Sequence, residues 1–452
     1  MRKVYIALLG AIIASNHATA QQPVKLSLND CIAYALKNNY AVKNAHIDML
    51  IQEAQTKQTT TAAMPHINGK ADFAYSYVVQ SSFIDASTFP SSPGAPTAPK
   101  GSIIPIQFSL PYAGSASITT SQALFDGSLI VALQARNTVM DLARHNEKIT
   151  TETVRHAVYK SYNALIIGYK QFEIIKSSLA LVRSMGQDLE KTRAAGFAEK
   201  IDVERTNVQI NNLATDSIKV GNMLTVAEQV LKYNLGMDIN TPIVLTDTDV
   251  EKGSAEVMAL VAEKENYDRL PEYNALKTAL KLNEFNVKRY RLSAIPSING
   301  FWAYGSNYGS DQFSPIFKFS KYNPYSMLGV TMNAPIFNGF VRSHQIREAR
   351  LNVEKTKNSI DNLKLAVDLQ AANSRSNLKN SMLQVQSQKR NLDLANDVLD
   401  LAQKKYKAGV GSNLEVTNAQ TELLRSQNNY FAALLDVINS EADLRKALGL
   451  LK

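Results

Sequence analysis

The chain has 452 residues, a formal charge of +9, 45% hydrophobic and 20% charged residues, and one cysteine, Cys31. Its lysines and arginines are scattered among acids without any block of like charge, so the basic balance reads as a solvated surface and argues against a polybasic nucleic-acid-binding segment. A single cysteine excludes an intrachain disulfide, and the length admits either two or three ordinary domains or one elongated one.

Arg2-Lys3, the apolar run Val4 to Ala14 and Ala18-Thr19-Ala20 have the basic region, apolar core and cleavage site of a secretory signal peptide, residues 1–20. Export again argues against nucleic acid as a partner. Beyond this segment no stretch reaches the roughly 18 apolar residues of a transmembrane helix. Cys31 sits in a helical pattern, LSLNDCIAYALKNN, where a small buried side chain is expected.

From Leu28 to about Met64 the pattern is helical, with Ser27 as its cap. Cys31, Ala35, Val42, Ala45 and Met49 recur at three-to-four spacing, and Pro65 stops the run. The period then becomes two. In a strand hairpin at about 66–122, Ile67, Ala71, Phe73, Tyr75, Tyr77 and Val79 share one face, opposite Asn68, Lys70, Asp72 and Ser76. After a Pro/Ser/Gly-rich loop, Phe89 to Gly101, alternation returns with Phe108, Leu110, Tyr112, Ala116 and Ile118 against Ser109, Ser115, Ser117 and Thr119. Each segment is about as long as the 9 to 11 residues that a tilted membrane strand needs. A helix then runs from about Ser128 to Ala195, on the order of 100 Å long. It breaks at a glycine-bearing tip, 192–207, and a second helix runs from about Lys200 to Leu235.

After a connection at 238–256 the order repeats. A helix from Pro271 to Ala294 leads to a hairpin at about 297–337, with Ile298, Trp302 and Tyr304 on one strand face and Leu328, Val330 and Met332 on the returning strand. A long helix follows to Ala408, then a tip at 406–420 and a last helix closing on Leu448-Gly449. HING at 66–69 answers SING at 297–300, Phe125-Asp126-Gly127 answers Phe337-Asn338-Gly339, and Leu235-Gly236 answers Leu448-Gly449. At the tips Gly196 pairs with Gly409, Ile201 with Leu414, Asp202 with Glu415 and Val203 with Val416, all 213 residues apart. A lone match means little, because glycine commonly ends helices. Preserved order and near-constant spacing indicate a duplicated chain, with repeats at 21–237 and 257–452.

Four strands cannot close a membrane barrel, whose smallest single-chain forms have about eight. Three chains pooling strands would give a 12-stranded β-barrel and would pair every edge. The long helix from Ile346 carries a seam through Ala349, Val353, Ile360, Leu363 and Val367, a stutter at Ala371, Ser374 and Leu378, and a resumed seam from Met382 to Ala402. Such a stutter relaxes supercoiling, which suits nearly straight staves of a wide tube. The aromatics Tyr75, Tyr77, Phe313, Phe317, Phe319, Tyr322 and Tyr325 cluster at the expected hairpin ends, where an interfacial girdle belongs.

The export segment, the duplicated element order, the P-x-I-N-G strand entries, the F-[DN]-G exits, the paired tips and the L-G closures together resemble the TolC-like outer-membrane efflux protein family over essentially the whole mature chain. The resemblance implies a mainly α fold with a membrane β part. Three chains would form a long α-helical barrel and a shared β-barrel in the outer membrane of a Gram-negative bacterium. It implies a passive exit duct of a tripartite efflux or type I secretion system, with a periplasmic adaptor (membrane fusion) protein, an inner-membrane transporter and outer-membrane lipid as partners. It assigns adaptor docking to the tip residues Gly196, Phe197, Gly409, Val410, Gly411 and Ser412, and a closable aperture to Asp202, Tyr406, Glu415 and Asn418. A basic residue that relatives carry after the tip glycines has no counterpart at Gly411 or Ala198, and Asn418 stands where a second acid is usual.

No cofactor, metal site or catalytic constellation is expected. His17, His46, His66, His145, His156 and His344 lack metal-ligand spacing, and no nucleophile elbow or phosphate loop is present. The competing expectation is a periplasmic structural or adaptor coiled-coil protein without a membrane pore, which predicts hairpins lacking a greasy face.

Overall fold

The computed structural model describes residues 24–88, 99–247, 254–313 and 322–451. The expected signal peptide, most of the loop at 89–101, part of the connection at 238–256, and Phe317 and Phe319 of the aromatic girdle lie outside the described residues. In chain order the elements are β1 (Val24–Leu26), α1 (Leu28–Asn38), α2 (Tyr40–Thr61), β2 (His66–Tyr75), β3 (Ser81–Asp85), β4 (Ile103–Gln107), β5 (Tyr112–Phe125), α3 (Gly127–Ala194), α4 (Lys200–Leu235), β6 (Ile243–Leu245), α5 (Ser254–Ala262), α6 (Pro271–Leu292), β7 (Ser297–Ser310), β8 (Asn323–Asn333), α7 (Val341–Lys407) and α8 (Asn413–Ala447). They fall into two compact units. One comprises the described parts of Met1–Ile51, Asp141–Ala279 and Thr356–Lys452, and the other those of Gln52–Met140 and Leu280–Lys355.

The second of these units carries an antiparallel sheet in the order β2-β5-β7-β8. Register decides which side chains share a face, because directly opposed residues point the same way. Ile67 lies opposite Thr120, Thr120 opposite Trp302, and Trp302 opposite Leu328. Ile118, Tyr304, Phe73, Tyr75, Val330 and Met332 fall on that same side, while Asn68, Lys70 and Asp72 share the other with Ser115, Ser117 and Thr119. The alternation therefore adds up to one greasy face and one polar one across β2 and β5, with Phe301, Tyr325 and Met327 of β7 and β8 also on the polar side. Among the described residues neither β2 nor β8 has a strand on its outer edge.

The first hairpin differs from its sequence reading. Phe108 and Leu110 precede β5, and Tyr77 and Val79 follow β2, so none of the four is a strand residue. The cause is Pro111, which has no N–H to donate to a ladder; its carbonyl closes the hairpin by accepting from Ser76 N at 2.8 Å. Beyond that point β3 and β4 pair as a separate ribbon, from Ser81 opposite Gln107 to Asp85 opposite Ile103. The aromatic cluster falls beside this boundary: Tyr75 stacks on Tyr112 at 4.6 Å, and Phe313 lies edge-on to Phe73 and Tyr112 at 6.1 and 5.8 Å.

In the helical unit the core joins Tyr162, Leu165 and Ile167 of α3 to Leu231 and Leu235 of α4, Leu434 and Ile438 of α8, and Cys31 and Ala35 of α1. The seam expected along α7 is buried at Ile360, Ala371, Ser374, Leu378, Ala395, Leu399 and Ala402. Ser27 opens α1 as expected, its Oγ accepting from Asp30 N at 3.2 Å while the Asp30 carboxylate accepts from Ser27 N at 3.1 Å. The single helix expected to Met64 is instead two, because Asn39 (φ −60, ψ 131) leaves helical geometry. Its amide replaces the lost helix contacts, accepting from Ala41 N and donating to Asn234 O, each at 2.8 Å. The strand pair β1 and β6 and the helix α5 were not legible in the sequence; three-residue strands carry no readable period. Asp247, just past β6, accepts from Leu28 N at 2.9 Å and from the Tyr162 hydroxyl at 3.0 Å.

Cys31 has no exposed surface, and burial pushes its thiol pKa up to about 12. A thiol this far from ionising is a poor nucleophile. Maleimide is therefore expected to label the folded protein negligibly and the denatured protein fully, read by mass spectrometry; rapid labelling of the folded protein would contradict the packing of α1.

Candidate functional site

The two tips are built alike. α3 ends with Gly196 in the left-handed region at φ +83, Gly196 N donating to Arg193 O at 2.9 Å and Phe197 N to Thr192 O at 3.0 Å. α7 ends with Gly409 at φ +75, Gly409 N donating to Tyr406 O at 3.0 Å and Val410 N to Lys405 O at 3.1 Å. This is the Schellman closure, in which the residue after the glycine usually packs back on the helix. Here it does the opposite: Phe197 is 85% and Val410 80% exposed. Gly411 needs no left-handed backbone, yet a Cβ there would sit 2.9 Å from Lys405 Cβ and 3.0 Å from Tyr406 N.

The helices that leave the tips start differently. Ser412 caps α8, its Oγ accepting from Glu415 N at 3.2 Å. Glu199, at the equivalent point before α4, makes no side-chain cap. Capping at the second tip thus falls to Ser412, and the Glu415 side chain is exposed with no ion pair among the described residues. Asp202 is half-buried in the first turn of α4. Tyr406 packs against the cluster of Ala395, Leu399, Ala402, Val416, Ala419 and Leu423. Asn418 is exposed.

Sequence reasoning missed a set of polar links behind the tips. Asn413 Nδ2 donates to Thr206 Oγ1 and Gln420 Nε2 to Ser178 Oγ, both at 3.3 Å and buried, and Gln209 Nε2 donates to Thr421 Oγ1 at 3.2 Å. The signal was present in spacing. Asn413, Gln420, Gln427 and Leu434 occupy one line at seven-residue steps along α8, and Thr206 lies seven before the buried Leu213 of α4. The Gln420 and Gln427 Oε1 atoms are buried without a hydrogen-bond partner. Farther along, Glu441 is 1% exposed and held by Arg445 Nε at 2.8 Å.

Two exposed apolar stripes run along other helix faces in the same unit. Val226, Val230 and Tyr233 stand out from α4, and Leu394, Val398 and Leu401 from α7, each set at steps of four and three. Such a stripe is the seam pattern of a helix that meets another. Among the described residues no three His, Cys, Asp or Glu side chains are grouped to hold a metal, and no helix is long and apolar enough to cross a membrane.

The family described as "Outer membrane efflux protein" matches residues 275–450, from α6 through both edges of the second tip. Over these residues the chain is similar to that family. It is 22% identical to outer membrane protein TolC of Vibrio cholerae, over 75% of this chain and 77% of that one. It is 20% identical to the alkaline protease secretion protein AprF of Pseudomonas aeruginosa, over 65% and 61% of the two chains. Among solved structures the outer membrane protein VceC of Vibrio cholerae superposes with a TM-score of 0.69 at 15% identity, covering 93% of this chain and 96% of that one. The Campylobacter jejuni CmeC outer membrane channel gives 0.71 at 16%, covering 93% and 85%. These relatives bear the names of outer membrane and secretion proteins, and the solved neighbours those of an outer membrane protein and an outer membrane channel.

Proposed function

We propose that three copies of the chain assemble into the exit duct of a tripartite efflux or type I secretion system, a passive and non-enzymatic conduit for small molecules or proteins from periplasm to exterior. The sheet carries this reading: it has one greasy face, one largely polar face and, among the described residues, two open edges, so it needs lipid on one side, water on the other and further strands at both ends. Three sheets of four strands give the 12-stranded barrel. The apolar stripes on α4 and α7 supply the matching helix-to-helix seams between protomers. A periplasmic coiled-coil protein without a pore has no use for the greasy face.

At the tips, Phe197 and Val410 present apolar side chains to water at equivalent places in the two repeats, which suits docking of a periplasmic adaptor that joins an inner-membrane transporter. Crosslinking from Val410→Cys tests this; adducts with an adaptor are expected in cells, and their absence from both Val410→Cys and Phe197→Cys counts against docking. Glu415, exposed and unpaired, is assigned to the aperture with Asp202, Tyr406 and Asn418. Three copies of a carboxylate around one axis attract cations. In planar bilayers Glu415→Ala is expected to raise the half-blocking concentration of a trivalent cation roughly tenfold or more, whereas an unchanged block removes Glu415 from the pore.

A further inference from the structure

One cavity in the sheet-bearing unit departs from the charge pattern of the other helices. It measures about 370 Å³ and lies among the last turns of α2, the first turns of α3 and the last turns of α6. Arg136 and Arg289 line it, with Thr59 and Asn286 as neutral polar groups and Leu282 and Phe285 as apolar ones; no Asp or Glu does. Several surface cations elsewhere are neutralised within their own helix, as Lys57 is by Glu53, Arg144 by Asp141, Arg193 by Glu190 and Lys404 by Asp400. Neither cavity arginine has that option. The residues three and four positions away are Ala132, Leu133, Val139 and Met140 for Arg136, and Phe285, Asn286, Leu292 and Ser293 for Arg289.

The surroundings hold the Arg289 guanidinium without neutralising it. Arg289 donates to the Tyr290 hydroxyl at 3.2 Å and lies 4.9 Å from the Tyr290 ring centre, a contact that uses one of its five donors. Beside it, Lys288 Nζ donates to Gln134 Oε1 at 2.7 Å and ties α6 to α3 with a further positive charge. Like charges around one cavity raise the energy of the empty site and lower that of an anion-filled one.

We propose that this cavity binds an amphipathic anion. Its phosphate, sulfonate or carboxylate head is held by Arg136 and Arg289, a pair suited to forked recognition of such groups, and its alkyl part lies on Leu282 and Phe285. Arg289 precedes β7, and Arg136 follows β5, by about 12–17 Å of helix, close to where the greasy face of the sheet ends. An anionic phospholipid and a soluble anionic amphiphile share the required chemistry.

The test uses the purified full chain in dodecyl maltoside, titrated with decyl phosphate by calorimetry and with decyltrimethylammonium as the opposite-charge control. One decyl phosphate per chain is expected. Affinity should fall roughly tenfold or more in Arg136→Gln/Arg289→Gln and recover in part in Arg136→Lys/Arg289→Lys, with no response to the cation in any form. Native mass spectrometry of protein taken from membranes separates the sources: an anionic phospholipid retained by the native protein and lost from the glutamine pair assigns a lipid, and decyl phosphate binding without retained phospholipid assigns a soluble anion. Equal decyl phosphate affinity in the native protein and the glutamine pair overturns the proposal. So does a native protein that binds none while the glutamine pair fails to assemble, because the arginines would then be serving a neighbouring protomer. Single-channel conductance reads the duct separately, so a pore that conducts normally without binding anions rejects the cavity and leaves the duct standing.

Discussion

Leu394→Asp combined with Val398→Asp is expected to abolish assembly, leaving a monomer on gels run without heating where the native protein is expected to run as a heat-sensitive trimer. Both residues stand more than half exposed in the single chain, in a stripe that continues to Leu401. Covering a leucine or valine side chain contributes about 1.5–3 kcal/mol, so two such residues at each of three seams supply on the order of 10 kcal/mol. Aspartates there lose that contribution and also place unpaired charges in a desolvated seam. Leu394→Met with Val398→Ile keeps shape and polarity and is expected to assemble normally. A double aspartate variant that still forms trimers of native heat resistance would mean that this face of α7 meets water, and the subunit seam would have to lie elsewhere.

The features that were legible in the sequence are those with a period. α3 and α4, expected from about Ser128 to Ala195 and Lys200 to Leu235, occupy Gly127–Ala194 and Lys200–Leu235, because three-to-four spacing over many turns leaves little choice. The greasy face of β2 was legible for the same reason. What escaped was decided by single side chains or by distant partners. Asn39 breaks a helix whose apolar spacing runs straight through it, and it does so through a bond to Asn234 that no local pattern announces. The returning strand was started too early because Phe108 and Leu110 alternate correctly while Pro111 forbids the ladder. β1 and β6 find each other across more than two hundred residues. At the tips the glycines and the exposed pair Phe197 and Val410 were visible, whereas Asn413, Gln420 and Thr206 looked like ordinary polar residues until their places in the seven-residue lines were known.

Gly236→Ala is expected to be among the most damaging single substitutions, costing about 2–5 kcal/mol and removing most assembled protein from the outer membrane. Two terms add. Gly236 closes α4 at φ +70, a conformation that disfavours any side chain, and a Cβ there would lie 2.6 Å from Asn38 O and 2.8 Å from Asn39 Cα. These are backbone atoms, which cannot swing aside as a side-chain end would. Gly196→Ala provides the comparison. Its φ of +83 carries a similar conformational penalty, but no heavy atom lies within 4 Å of the added carbon, so about 1–2 kcal/mol is expected. Thermal unfolding of the two variants should separate them clearly, and equal losses would mean that the close approach of α4 to the α1–α2 break is wrong. The end of α8 offers a check, because Gly449 closes it at φ +66 with a Cβ position 2.9 Å from Arg269 Cβ and 3.2 Å from its backbone carbon and oxygen.

The polar line along α8 gives its packing a gradient. At the end far from the tip, Tyr430, Leu434 and Ile438 sit in the main core, and parting them from α3 would expose apolar surface at about 25 cal/mol per Å². Toward the tip the same helix faces its neighbours with Asn413, Gln420 and Gln427, and two of the amide oxygens there have nothing to accept from. Water entering that end would satisfy those oxygens, so α8 is held to α3 and α4 there by long amide-to-hydroxyl bonds and by Leu424, while Val416, Ala419 and Leu423 keep an apolar seam with α7. The hold of α8 on α3 and α4 thus weakens from core to tip while its hold on α7 does not, so the pair α7 and α8 is built to swing away as one piece, like a doubled strand working loose from a rope.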